Sequence, residues 1–252
     1  MYVLLTNDDG VDSEGLLKLK AALGQVAEVA VIAPEQNWSA VGHTKTLRRP
    51  LCVRRIKLPD GDLALVTDGT PSDCVALGLL GLLPRRPDLV IAGINKGPNL
   101  GDDITYSGTV AAAMEGIIGG VPSIAVSLDA YDGWDFAYAA EFTANLAVQV
   151  VRRRLSAEVL LNVNVPNLPC HKIQGVEITR LGKRVYQDIL VEEAGPDGSV
   201  HYWIRGDPPG GLLVDGTDIH ALAQGKISIT PIHLDLTNHA LIEELKNWEL
   251  SG

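Results

Sequence analysis

Short apolar runs alternate with helix-patterned segments over the first two-thirds of this chain, and few folds satisfy that alternation. Residues 3–6 read as a strand, 13–23 as a helix with Leu16, Leu19, Ala22 and Leu23 on one face, and 29–33 as a strand stopped by Pro34. Residues 52–58 and 63–67 flank Asp60-Gly61, which predicts a β-hairpin inserted near 50–67. The spacing then predicts a helix over 71–83, with Pro71 in its first turn and Pro84 ending it. A strand at 88–92, a helix at 107–118, a strand at 122–128, a long helix at 134–155 and a strand at 159–165 complete the series. The expected class is α/β: a mostly parallel sheet with helices on both faces.

After Pro169 the pattern changes. Residues 173–180, 186–192 and 201–205 look like strands joined by Gly and Pro turns, with no long helix between them. A short helix at 218–224 closed by Gly225, a strand at 226–232 and a terminal helix at 239–250 follow. Residues 1–170 are therefore expected to form the main α/β domain. Residues 171–252 read as a β-rich extension and C-terminal arm suited to oligomerisation.

An apolar fraction of 46% over 252 residues supports a real core and excludes disorder. A net charge of −10 argues against a basic surface for long nucleic acid, while a small phosphorylated ligand stays open, because a metal and backbone dipoles can invert the local field. Cys52, Cys74 and Cys170 are an odd number, far apart and without a CxxC pair, as expected of reduced thiols in a cytoplasmic protein. The first apolar run meets Asn7-Asp8-Asp9 and has no basic leader, so no secretory signal is expected. The longest charge-free stretch, 116–128, is interrupted by Gly119-Gly120 and Pro122 and falls short of the roughly 20 residues of a membrane span.

Three polar clusters follow three of the expected parallel strands: Asn7-Asp8-Asp9-Gly10, the stretch from Pro34 to His43, and Gly93-Ile94-Asn95-Lys96-Gly97-Pro98-Asn99-Leu100-Gly101. Parallel strands bring all three to one edge of the sheet, where open α/β proteins bind ligands. Two adjacent carboxylates repel, and one takes up a proton unless a cation sits nearby. Asp8 and Asp9 offer carboxylates, Ser39 a hydroxyl and Asn95 an amide carbonyl. That all-oxygen set suits Mg²⁺, Mn²⁺ or Ca²⁺ better than zinc or copper. Tyr106-Ser107-Gly108-Thr109 opens the next helix, and hydroxyls beside free helix N–H groups can seat a phosphate. Cation and anion seat together imply a phosphoester that the metal polarises while activating a water. Taken singly, Ser107 serves equally as an N-cap, Ser39 as a loop hydroxyl, Asn95 as a turn residue, and His43 as loop structure or substrate contact. No GxGxxG, GxxxxGK[ST] or GxSxG pattern supports a rival chemistry.

These stretches, with Ser39-Ala40-Val41-Gly42-His43, Gly69-Thr70-Pro71-Ser72-Asp73-Cys74, Leu161-Asn162-Val163-Asn164-Val165-Pro166 and Ile227-Ser228-Ile229-Thr230-Pro231, resemble the SurE stationary-phase survival proteins nearly end to end. Members of that family are metal-dependent nucleoside 5′-monophosphate phosphatases. The resemblance implies a Rossmann-like catalytic domain, one divalent ion per subunit (Mg²⁺ or Mn²⁺) at Asp8, Asp9, Ser39 and Asn95, and a homodimer or homotetramer held by a β-hairpin extension and the C-terminal arm. It implies 5′-nucleotides as substrates, with 3′-nucleotides and polyphosphate in some members. On this reading Asp8 and Asp9 are catalytic, Asp9 orients the water or accepts its proton, and Asn99, Ser107, Gly108, Thr109 and His43 face the phosphate or substrate. Direct attack by an aspartate is the alternative route, and a metal- and nucleotide-binding regulator without turnover is the rival function. Two positions depart from the family pattern: Trp38 stands where members carry a smaller or basic side chain, and Lys45 where an apolar one is common.

Overall fold

The computed structural model describes residues 1–248 and 250. Its first half runs β1 (Tyr2–Thr6), α1 (Glu14–Leu23), β2 (Glu28–Pro34), β3 (Val53–Lys57), β4 (Leu63–Thr67), α2 (Pro71–Leu77), β5 (Leu89–Lys96) and α3 (Gly108–Ile118). Next come β6 (Ser123–Asp129), α4 (Ala137–Arg152), β7 (Leu160–Pro166), β8 (Val176–Ile178), β9 (Arg184–Val185), β10 (Ile189–Ala194) and β11 (Val200–Arg205). The last elements are β12 (Gly210–Gly211), α5 (Asp218–Ala223), β13 (Ile227–Ile232) and α6 (His239–Leu245).

Nine strands make one sheet in the order β3-β4-β2-β1-β5-β6-β7-β13-β8. From β4 to β7 every pairing is parallel. The run starts at β1, winds outward to β2 and β4, then returns to the other side of β1 for β5, β6 and β7. This is the doubly wound, Rossmann-like order, and its topological switch point lies between β1 and β5.

The two faces follow from strand periodicity. Val3 and Leu5 of β1 point to one core with Leu16, Leu19 and Leu23 of α1 and Ala139, Ala140 and Ala144 of α4. Tyr2 and Leu4 point the other way, onto Cys74 and Val75 of α2 and Ala112 of α3. Both faces are covered, which is why the strands read as continuous apolar runs rather than alternating ones. Caps set the helix starts. Ser13 accepts from Leu16 N, Ser107 from Val110 N, and Thr70 with Asp73 forms a reciprocal capping box.

Several boundaries differ from the sequence expectation. The hairpin expected near 50–67 is present as β3 and β4, but it is built into the main sheet: β4 also pairs in parallel with β2 as the third parallel strand, leaving β3 as the antiparallel edge. The chain does not divide at 170, because β13 pairs antiparallel with β7 and β8 lies beyond it; these two strands of the 171–252 segment complete the main sheet, while β10 with β11 and β9 with β12 form two separate pairs. Strand β5 runs on to Lys96, with a register shift against β6 between Ala92 and Asn95, so Asn95 sits on the strand. The helix expected from 71 holds regular geometry only to Leu77, and Gly81 breaks it with φ +115°. Helix α4 starts at Ala137 because Trp134 Nε1 turns back to Ala130 O and Asp135 accepts from Ala137 N. The strand expected over 173–180 is a strand only at Val176–Ile178, with an isolated bridge from Arg180 to Thr217, and that expected over 186–192 is found as β10, shifted to Ile189–Ala194, with the two-residue β9 just before it. Helix α6 ends at Leu245; of the 239–250 helix expected, residue 249 lies outside the described residues.

Candidate active site

The switch point gathers the polar clusters. After β1 the chain turns sharply at Gly10 (φ +100°), and Val11 N donates to Pro34 O at the end of β2. Trp38 N donates to Asp8 O at 2.8 Å, holding the loop that carries Ser39 against the carboxylate pair. Asn37 tightens this loop: its Oδ1 accepts from Ser39 N at 2.7 Å and its Nδ2 lies 3.4 Å from Asp9 Oδ1. From β5, Lys96 N reaches Asp9 Oδ2 at 3.3 Å. Asn95 commits its amide nitrogen to Gly97 O at 2.8 Å, which leaves the amide oxygen as the atom that could meet a cation.

Asp8 is held differently from Asp9. Thr109 donates twice to it, from N to Oδ2 at 3.1 Å and from Oγ1 to Oδ1 at 2.5 Å. The start of α3 thus grips Asp8 with the Thr109 N–H and hydroxyl, where the helix dipole favours an anion. Gly108 allows this close approach: a Cβ there would meet Asp8 Cβ at 2.8 Å, Asp8 Oδ2 at 2.9 Å and Trp38 O at 3.2 Å.

Burial disfavours the charged form of both carboxylates. Burial pushes the Asp8 carboxyl up to about 6 against the Thr109 hydrogen bond, and the charge of Asp9 adds to the rise. Burial also raises Asp9, although the Lys96 N–H and ammonium oppose it. The Lys96 ammonium lies 4.8 Å from the Trp134 ring centroid, sharing its charge with that π face. Two carboxylates, a hydroxyl and an amide oxygen fit a hard divalent cation. Among the described residues no group of three or more His, Cys, Asp and Glu could form a zinc-type centre.

The residues expected to face phosphate are placed unevenly. Ser107 lines an open cleft of about 280 Å³ with Asn95, Lys96 and Asn99. Its hydroxyl also caps α3 by accepting from Val110 N. Asn99 is buried as a structural knot: its N–H donates to Asn164 Oδ1, its Nδ2 to Ser127 Oγ, and its carbonyl accepts from Asn162 and Asn164. Thr109 is 0% exposed with its hydroxyl spent on Asp8, so it orients a carboxylate instead of seating phosphate.

His43 is drawn out of the cleft. Its Nε2 lies 3.2 Å from Glu115 Oε2, and Lys45 Nζ lies 2.6 Å from Glu115 Oε1. Burial alone would push the Glu115 carboxyl up, but these two partners outweigh it and hold it below the usual range. Glu115 therefore clamps the Ser39 loop to α3, and Lys45 supplies half of the clamp. Glu115→Gln is expected to weaken divalent-cation binding about 10- to 100-fold, read by titration of Mn²⁺. Sequence spacing did not expose Glu115, Asn162 or Asn164, whose partners lie more than sixty residues away.

A doubly wound α/β fold with one buried and one half-buried carboxylate at its switch point is that of the α/β proteins that bind ligands at this edge of the sheet. The chain belongs to the SurE family: the profile described as "Survival protein SurE" matches residues 3–188. It is 51% identical over 251 residues to the 5′-nucleotidase SurE of Chloroflexus aggregans, covering 99% of both chains. Against the 5′-nucleotidase SurE of Herpetosiphon aurantiacus the identity is 50% over 247 residues, with 97% of each chain covered. The crystal structure of the SurE protein from Aquifex aeolicus aligns with TM-score 0.85 and 42% identity over 98% of each chain.

Proposed function

We propose that this protein removes phosphate from nucleoside 5′-monophosphates with the help of one divalent cation, Mg²⁺ or Mn²⁺, per subunit. The observation that carries this reading is the grip of α3 on Asp8 beside a half-buried Asp9 and the strand-end Asn95. The 5′-nucleotidase names of the full-length relatives support it. Asp8, Asp9, Ser39 and Asn95 would hold the cation, which when bound would neutralise the carboxylates and polarise the phosphoester.

The two carboxylates differ in freedom. Asp8, with both oxygens engaged by Thr109, is the fixed anchor. Asp9 has only longer contacts, at 3.3 and 3.4 Å, and burial raises its proton affinity, so it is the group to orient the attacking water and accept its proton. The Ser107 hydroxyl and the Gly108 N–H seat the phosphate at the helix start.

The exposed apolar side chains of β10 and β11, among them Ile189, Leu190, Val200, Tyr202 and Ile204, support a homodimer or homotetramer built through this hairpin and the C-terminal arm. Three unpaired cysteines support a reducing, cytoplasmic setting. Among the described residues no helix is long and apolar enough to cross a membrane.

The test is phosphate release from 5′- and 3′-nucleoside monophosphates and polyphosphate with Mn²⁺, Mg²⁺ or EDTA. Release that requires a divalent ion and favours 5′-nucleotides is expected. Nucleotide binding with no release under any metal would replace this reading with that of a regulator.

A further inference from the structure

The cleft that contains Asn95, Lys96 and Ser107 has a second group of lining residues that phosphate chemistry does not use: Tyr106, Tyr131, Asp103, Arg184 and Pro209. Aromatic residues make up 5% of this chain, yet two of its six tyrosines line this one cleft. Both keep their rings open, Tyr106 at 61% and Tyr131 at 58% exposure. Neither ring belongs to a hydrophobic core.

Both are nonetheless fixed in place. Tyr131 lies over Gly97, where a Cβ would come within 3.9 Å of its Cε1. Its loop is tied down by Trp134 Nε1 on Ala130 O and by the Lys96 ammonium over the Trp134 ring. The backbone of Tyr106 is pinned by Asp103 O and, through its own carbonyl, by Gly42 N. Arg184 closes the wall: it is only 7% exposed, donates Nε to Asp103 and Nη1 to Pro209 O, and retains its Nη2 donors. Tyr186 donates to the second oxygen of Asp103, so the pair cannot swing away.

We propose that Tyr106 and Tyr131 form the base platform of the nucleotide site and that Arg184, brought in from the 171–252 segment, closes the cleft behind the nucleoside. The proposal rests on the nucleotidase reading and adds the residues that set substrate class. A phosphomonoester with a flat aromatic base gains from stacking on these rings, whereas a small alkyl phosphate does not.

The experiment compares kcat/KM for AMP and for glycerol 2-phosphate in Mn²⁺, using wild type, Tyr131→Ala, Tyr106→Ala and Tyr131→Phe. Each alanine variant is expected to lower the AMP-to-glycerol-phosphate ratio about tenfold, mainly through KM, and Tyr131→Phe is expected to restore it. Circular dichroism checks that these exposed substitutions keep the fold. Equal losses on both substrates, or no loss on AMP, would overturn the platform alone. A wild type that releases phosphate from neither substrate would overturn the nucleotidase reading and the platform with it.

Discussion

Replacing Asp8 with alanine is expected to reduce phosphate release from nucleoside monophosphates by a factor on the order of 10³ or more with any divalent cation. The variant loses a cation ligand and also leaves the two Thr109 donors without their acceptor, so the start of α3 no longer faces a fixed anion. Asp8→Asn keeps the shape and isolates the charge. In the metal-free protein the Asp8 carboxyl sits at about 6 because it is buried, above the 3.8 of a free aspartate. Between these values the native state binds the proton more tightly than the unfolded chain. Stability from this group is therefore lost as pH rises through that window, by up to about 3 kcal/mol. Asp8→Asn removes the dependence, so it should gain stability relative to metal-free wild type between about pH 4 and 7. Urea unfolding at several pH values reads the difference. Adding Mn²⁺ at neutral pH should raise the stability of wild type and leave the variant nearly unmoved.

Gly108→Ala is expected to be almost as damaging to activity while adding only one methyl group. Its Cβ would enter the space of Asp8 Cβ and Oδ2 and approach Trp38 O, so the carboxylate and the Ser39 loop must move apart together. Geometry errors of this size at a reacting centre cost about 10²-fold. The helix itself tolerates alanine well, since Gly108 lies in its first turn with an ordinary φ. Activity lost with little change in Tm is the expected signature. A variant with wild-type kcat and Mn²⁺ affinity would show that the close packing of α3 on Asp8 is not needed.

Much of this architecture was legible because strands and helices write different periods. Val3, Leu4 and Leu5 announce a strand buried on both faces, and polar residues directly after parallel strands must meet at one sheet edge. Asp8, Asp9, Ser39 and Asn95 were singled out in this way. Periodicity identifies an element and says little about its neighbours. Nothing local in Leu63–Thr67 says that it pairs with β2, or in Ile227–Ile232 that it docks on β7. The same limit hid the partners of buried polar groups. A glutamate inside an apolar helix carries no sign that His43 and Lys45 will reach it, and a threonine at a helix start reads as a phosphate seat until a carboxylate from 101 residues away occupies it. Trp134 looked helical because its neighbours are apolar at the right spacing; its indole bond to Ala130 O overrides that pattern.

The knot at Asn99 has a consequence for how the protein is made. Its carbonyl and N–H are bound by Asn162 and Asn164, which lie on β7, the last strand of the β4-to-β7 parallel run to be synthesised. Until β7 docks against β6, Asn99, in the loop after β5, lacks the partners that fix its backbone. A nascent chain therefore carries Asp8 and Asp9 from its first turn yet holds no finished site until some 160 residues have emerged. Two neighbouring acidic groups stay wet and uncommitted during that interval, and cation capture becomes a late event coupled to closing the sheet.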